Sequence, residues 1–451
     1  MEKVSKWRRY FAEPHMREML LGSVVGLVVK VLAAVSLFAM NVVVTRTVGA
    51  TQAGLFFLSF TLITIIATLG RIGLDQAVVR FIAKDVEVSA STPPVVSGNG
   101  AAAGSQLQSV FAKSVTWTLL ASVLFAFIFY AIAPWLNDYV FKLPGFTPVF
   151  KVMLIAVPVM ATYIIYAQAL QGLKKISQSM VVSSVLLPST ILLLLLLSPV
   201  VRAQEIGSYF VIASVFTLVI GVSFWVTSVP KTAHKTEFPS SILRATCMPL
   251  WTVAIVHQVI QWSSQLMLGI WEDAQAVAFF ATAQRTAMLT SFILFAVNTI
   301  AAPKFAAMHA ANDMQGVRRM AIMSVRMMLL VAVPTTLFIF LFPEWLMSMF
   351  GEGFSAAATA LMILAAGQFV NIATGSVGYL LSMTGLEKKV RDNVLISGAV
   401  SVLLGLILIP VYGVIGAAVA YACGVASQNL LGVYQVKKHL GFNTLCFWRE
   451  A

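Results

Sequence analysis

Lys30, Arg71, Asp75 and Arg285 are charged residues set inside long apolar runs of the sequence. A charge at the centre of a bilayer costs about 2.5–3.5 kcal/mol on insertion scales, so such residues usually face a bundle interior or a wet cavity. On a helix turning about 100° per residue, Ser23, Gly26, Ala33, Ala34 and Asn41 lie on the side of Lys30. Val25, Val28, Leu32 and Val35 lie opposite. Thr64, Ala67, Thr68, Arg71 and Asp75 share one face of the next helix, and the spacing of Arg71 and Asp75 lets them pair. Ala278, Ala281 and Thr282 accompany Arg285, which has no acid three or four residues away. Three cations against one acid suit an anionic substrate. Arginine suits phosphate especially, because its fork binds two oxygens at once. Competing readings stand beside this one: Lys30 snorkels, Arg71 reaches the interface, and Asp75 is only a structural partner.

A second constellation is uncharged. Trp251, Gln258, Gln261, Trp262 and Gln265 fall within about a 100° arc of one helix. Indole rings stack on the apolar faces of sugars and amides hydrogen-bond hydroxyls, so this is a candidate glycan surface. A seam of hydrogen bonds between helices would use the same residue types.

The elements that position these residues are transmembrane helices. The chain has 451 residues, of which 59% are hydrophobic and 10% charged, too apolar for a soluble domain. Apolar runs of membrane length are expected near 19–44, 54–79, 110–133, 149–172, 179–201, 207–229, 247–270, 275–302, 320–342, 356–383, 391–410 and 413–436. No alternation of period two marks a β-barrel. The first run is too long for the core of a cleaved signal, so it reads as the first span. With the N-terminus in the cytoplasm, 23 of the 30 Lys and Arg fall on the cytoplasmic side, and Lys30, Arg71 and Arg285 lie within spans. Arg46, Lys142, Lys151 and Arg202 fall on the other. Both termini are therefore expected to be cytoplasmic. The net charge of +13 is a topology signal and implies no nucleic-acid partner.

The chain repeats itself. GLFFLSFTLITIIATLG (54–70) parallels VAFFATAQRTAMLTSF (277–292), and RFIA (80–83) parallels KFAA (304–307). QGLKKISQSMVVSS (171–184) parallels TGLEKKVRDNVLIS (384–397). The expected fold is all-α: twelve transmembrane helices in two six-helix lobes related by a pseudo-two-fold axis along the membrane normal. The lobes would span 1–229 and 247–451, joined by a cytoplasmic linker over 230–246. Residues 87–108, rich in Ser, Ala, Gly and Pro, read as a flexible cytoplasmic loop.

Catalytic chemistry has no footing here. Cys247, Cys423 and Cys446 have no pairing or metal spacing, and the five histidines form no zinc signature. There is no P-loop and no nucleophile elbow. The chain reads as a non-enzyme without a cofactor.

Three stretches carry a family resemblance: TRTVGATQAGLFFLSFTLITIIATLGRIGLDQAVVRFIA (45–83), NTIAAPKFAAMHAANDM (298–314) and FGEGFSAAATALMILAAGQFVNIATGSVGYLLSMTG (350–385). The third is the most specific, with its GQ-x-VN and MTG elements. The chain resembles the polysaccharide flippases of the Wzx type, in the superfamily that also holds the multidrug (MATE) antiporters and the lipid II flippases. The resemblance implies a V-shaped transporter in a bacterial inner membrane. Its substrate would be an undecaprenyl-diphosphate-linked oligosaccharide, moved by alternating access for O-antigen, capsule or exopolysaccharide synthesis. Lys30, Arg71 and Arg285 would then hold the diphosphate, the Trp and Gln residues would hold the glycan, and Asp75 is the candidate for ion coupling. Membrane lipids, a polymerase and chain-length proteins are the implied partners. The rival is an ion-coupled MATE-type antiporter of the same fold. It would carry organic cations and place acids, not bases, at mid-membrane.

Overall fold

The computed structural model describes residues 14–91, 106–198, 202–229 and 238–446. Its helices are α1 Pro14–Arg71, α2 Leu74–Ser91, α3 Leu107–Leu136, α4 Phe146–Leu154, α5 Ala156–Gly172, α6 Ile176–Met180, α7 Leu186–Leu197 and α8 Ala203–Ser228. They continue with α9 Ser240–Trp271, α10 Ala274–Met288, α11 Phe292–Ala310, α12 Met314–Leu341, α13 Pro343–Ser348, α14 Ala358–Ala373, α15 Val377–Met383 and α16 Glu387–Leu440. No strand occurs among the described residues. In hydrocarbon every backbone N–H and C=O must find a partner within the protein, and helices supply it locally.

The protein is a multi-pass, all-α membrane protein, and the described parts of the twelve expected runs are mainly helical. Among the described residues, eight helical segments are long and apolar enough to cross a bilayer, or nine with the bent pair α4–α5, whose axes differ by 44°. Two of the eight are too long for one crossing at about 1.5 Å per residue. Each contains a non-helical glycine, Gly49 in α1 and Gly413 in α16. Gly49 has φ 77°, a left-handed value that a side chain disfavours.

Three expectations need correction. The second expected span is not one helix. Ile72 and Gly73 take positive φ, which ends α1 at Arg71 and starts α2 at Leu74. Residues Glu87–Ser91 belong to α2, and Leu107–Gln108 to α3, so the expected loop is shorter at both ends. Its middle, 92–105, lies outside the described residues, as do 230–237 of the expected linker. Residues 240–246 of the expected linker are helical and form the first turns of α9.

The described residues form two compact units. The first runs through Met40 and includes Ser59–Val140 and Pro144–Val259. The second comprises Asn41–Leu58, Phe141–Leu143 and the described residues from Ile260 on. In the first, α5 packs against α2, α3 and α8, and Phe111 stacks on Trp225 with centroids 3.8 Å apart. In the second, α14 packs against α10, α12 and α16. Large apolar side chains on outward faces, such as Phe127 and Leu330, are exposed, as a lipid-facing surface requires.

Candidate functional site

Each unit holds one arginine in a polar setting. In the first, Arg71 ends α1 and Asp75 lies in the first turn of α2. Arg71 Nε donates to Asp75 Oδ2 at 3.1 Å, and only 11% of either side chain is exposed. The pair therefore spans a helix break. A cation in a last turn and an anion in a first turn are both favoured by the helix dipoles, so the break itself supports the pair. Arg71 Nη2 also donates to Thr68 Oγ1 at 2.8 Å. That oxygen accepts a second bond from Gln258 Nε2 at 3.0 Å, while its own proton goes to Thr64 O. Thr68 is thus fully used in aiming the guanidinium. These bonds engage only part of the Arg71 donor fork.

The break is locked from α9. Leu69 O accepts from Ile72 N and from Trp251 Nε1, each at 3.2 Å. Gly73 lies so close that a Cβ there would sit 2.7 Å from Trp251 N and still nearer to Cys247 O. Only glycine satisfies both the backbone, at φ 72°, and this approach.

Lys30 also belongs to the first unit and is half-buried. Val28, Leu32 and Val35 beside it are 61%, 51% and 59% exposed, whereas Gly26 and Ala33 are buried. The lysine lies between the lipid-like face and the packed face of α1.

In the second unit Arg285, on α10, donates through Nη1 to Asn41 Oδ1. Its guanidinium lies 4.2 Å from the centroid of the Phe57 ring. A cation over an aromatic face gains about 0.5–2 kcal/mol, more when water is excluded. The carbonyl of Phe57 accepts from Gln265 Nε2 at 3.1 Å, so one residue braces both. Next to Arg285 in the sequence, Gln284 is buried. Gln368 Oε1 accepts from Ser291 Oγ and from Asn371 Nδ2. Gln368 and Asn371 are the Gln and Asn of GQ-x-VN, and Gln368 is buried too.

The uncharged constellation on α9 is divided. Trp251 and Gln258 lie in the first unit, and Gln261, Trp262 and Gln265 in the second. Gln265 is buried, while Trp251, Gln258, Gln261 and Trp262 are half-buried. Trp251, Gln258 and Gln265 make the interhelical bonds given above. The residue patterns did not single out Asn41 and Phe57 as partners of Arg285, nor the Ser291–Gln368–Asn371 cluster. The signals available were the repeated Phe pair and the polar i, i+3 spacing of Gln368 and Asn371.

Residues 17–309 match the family model described as polysaccharide biosynthesis protein. The chain belongs to that family. A second model, MatE, matches residues 249–411. Among curated proteins, the probable low-salt glycan biosynthesis flippase Agl15 of Haloferax volcanii is 28% identical over 174 residues. That match covers 38% of this chain and 36% of Agl15. Among solved structures, the lipid II flippase MurJ in an inward closed conformation superposes with a TM-score of 0.71 at 13% identity, over 93% of this chain and 87% of MurJ. An inward-facing MATE family multidrug transporter of the MOP superfamily gives 0.69 at 13% identity, over 93% of this chain and 98% of that one. At these identities the likeness concerns the fold. This chain thus shares its architecture with a solved flippase and a solved drug transporter.

Proposed function

We propose that this chain is a flippase that turns a lipid-linked oligosaccharide across the membrane in which it sits. The substrate class is an undecaprenyl-diphosphate-linked oligosaccharide for cell-surface polysaccharide. The membrane is the bacterial inner membrane, with both termini in the cytoplasm. Lys30, Arg71 and Arg285 take the diphosphate oxygens. Trp251, Gln258, Gln261, Trp262 and Gln265 take the glycan. The site is exposed to each leaflet in turn, and the working bodies are the six-helix lobes 1–229 and 247–451. A polymerase and chain-length proteins consume the product.

One observation carries the reading: each compact unit sets a guanidinium among hydroxyl, amide or aromatic groups within apolar helices. Forked donors on preset side chains suit a diphosphate, which presents several anionic oxygens at once. The family match and the likeness to Agl15, a probable glycan biosynthesis flippase, support the same class of substrate. An organic cation would be repelled by this charge, so the antiporter reading has less support despite the MatE match. Asp75 is the candidate for ion coupling, and its bond to Arg71 would make any coupling act directly on the anion site.

The test is depletion of the protein in its host, followed by analysis of lipid-linked sugars. Accumulation of one such sugar on the cytoplasmic leaflet is expected. Unchanged lipid-linked sugars together with lost efflux of an organic cation would favour the antiporter. A cysteine placed at Gly98, in a chain lacking Cys247, Cys423 and Cys446, tests the orientation. Labelling from the periplasmic side of sealed cells would reverse it.

A further inference from the structure

Asn41–Leu58 packs in the second unit, although α1 through Met40 and from Ser59 on belongs to the first. Gly49, non-helical at φ 77° and ψ 172°, bends this segment into two legs. Val44 on the first leg and Ala53, Leu55, Phe56, Phe57 and Leu58 on the second are buried. The segment is therefore a packed strap, not a loose connection.

Its attachments differ in kind. Gly54 approaches Ala274 O so closely that no Cβ would fit. Leu58 fills the space that a side chain at Gly269 would take. Phe57 O accepts from Gln265 Nε2 at 3.1 Å. Near the bend, Arg46 Nε donates to Met349 O at 2.7 Å, in an exposed position where water competes. All of these rest on close packing or on neutral backbone carbonyls. Arg285 is the exception. It donates through Nη1 to Asn41 Oδ1 on the first leg, and its guanidinium lies against the Phe57 ring on the second. One cation thus ties both legs of the strap.

An anion that met Arg285 edge-on, through its forked N–H groups, would disturb both ties. It would take the Nη1 donor from Asn41. It would also offset the charge that attracts the π face of Phe57. Asn41 is only 1% exposed, so water does not replace a lost donor there.

We propose that Arg285 is the latch of this strap, and that an anion bound at Arg285 loosens both legs. The proposal rests on the reading of Arg285 as a ligand for the substrate diphosphate. The closed strap and the bound anion then compete for one guanidinium. By linkage, whatever loosens the strap also favours the anion.

The test uses the full-length chain lacking Cys247, Cys423 and Cys446 and carrying Val44→Cys, purified in detergent and labelled with N-ethylmaleimide. Val44 is fully buried in the strap, so its labelling reports loosening. Undecaprenyl diphosphate should speed labelling about tenfold, and uncharged undecaprenol should not. Arg285→Gln should label about tenfold faster without any lipid and should not respond to the diphosphate. Asn41→Leu should also label faster and should bind undecaprenyl diphosphate severalfold more tightly, which a mere loss of stability would not produce. Undecaprenyl diphosphate that binds without changing the labelling overturns the latch and leaves the substrate reading standing. Slow labelling of Arg285→Gln overturns the latch as well. Absence of any binding by undecaprenyl diphosphate overturns the substrate reading, and release by substrate falls with it. If Arg285→Gln does not fold, hydrogen exchange at the amides of residues 42–57 of the native chain decides. Faster exchange with undecaprenyl diphosphate than with undecaprenol supports the latch, and equal exchange overturns it.

Discussion

Arg71 and Arg285 are the same side chain in two different settings. Arg71 pairs with a carboxylate across a helix break, and its neighbours Thr68 and Gln258 steer it. Arg285 bonds a neutral amide and lies over a ring. The first setting holds its own counter-charge four residues away, supplied with the arginine by one stretch of chain. The second takes Asn41, 244 residues away, as a partner. A guanidinium beside a carboxylate has part of its attraction for an incoming anion already spent. The Asn41 amide and the Phe57 ring, by contrast, carry no full charge.

The sharpest break of this comparison is charge reversal. Arg285→Glu is expected to abolish transfer of a lipid-linked sugar in proteoliposomes. Arg285→Lys should retain a fraction, since the charge survives and the fork is lost. Wild-type rates in a correctly inserted Arg285→Glu protein would remove Arg285 from the site.

Next in size is the loss of the pair. Arg71→Ala leaves Asp75 buried beside no cation and should cost about 3–5 kcal/mol of stability. The double variant with Asp75→Ala should recover most of that loss. Thermal unfolding of the single and double variants in one detergent gives the coupling, and additive losses would mean that the pair is not the unit.

The helix break can be tested apart from the charges. Gly73→Ala should destabilise by about 2–3 kcal/mol, through both the positive φ and the clash with α9. Gly49→Ala has open space around it but φ 77° and ψ 172°, so it should cost about 1–3 kcal/mol through backbone strain alone. Equal losses in thermal unfolding would show that backbone strain alone matters at Gly73.

Asp75→Asn sharpens the comparison by giving Arg71 the kind of partner that Arg285 has. Binding of a lipid diphosphate should tighten by about fivefold, or about 1 kcal/mol. Unchanged binding would mean that Asp75 does not compete with the substrate. Normal binding with transport lost would assign Asp75 to ion coupling.

The smallest effect is expected on the glycan side. Trp262→Leu should slow transfer of the native lipid-linked glycan severalfold without lowering protein yield. Equal rates for variant and native protein would leave the residue in the helix seam.

Much of the fold was legible in the residues because membrane crossing is a local property. Apolarity summed over about 20 residues decides it, and the described part of each expected run is mainly helical. The face of α1 was legible too, since period alone places Leu32 and Val35 together and both are exposed. The Arg71–Asp75 pair followed from spacing, but the break between them did not. Ile72 is an ordinary helix residue, and Gly73 reads as a tolerated glycine until the approach of Trp251 and Cys247 is known.

What the sequence by itself determined is which segments enter the membrane and which charges enter with them. Both depend on transfer energies summed along short windows of chain. Only the tertiary structure decided what each charge and amide meets: Asn41 and Phe57 for Arg285, the Phe57 carbonyl for Gln265, and Thr68 for Gln258. The physical reason is range. A hydrogen bond needs its two atoms within about 3 Å, and atoms from residues some two hundred positions apart are brought that close by helix packing, which no periodicity in the chain encodes.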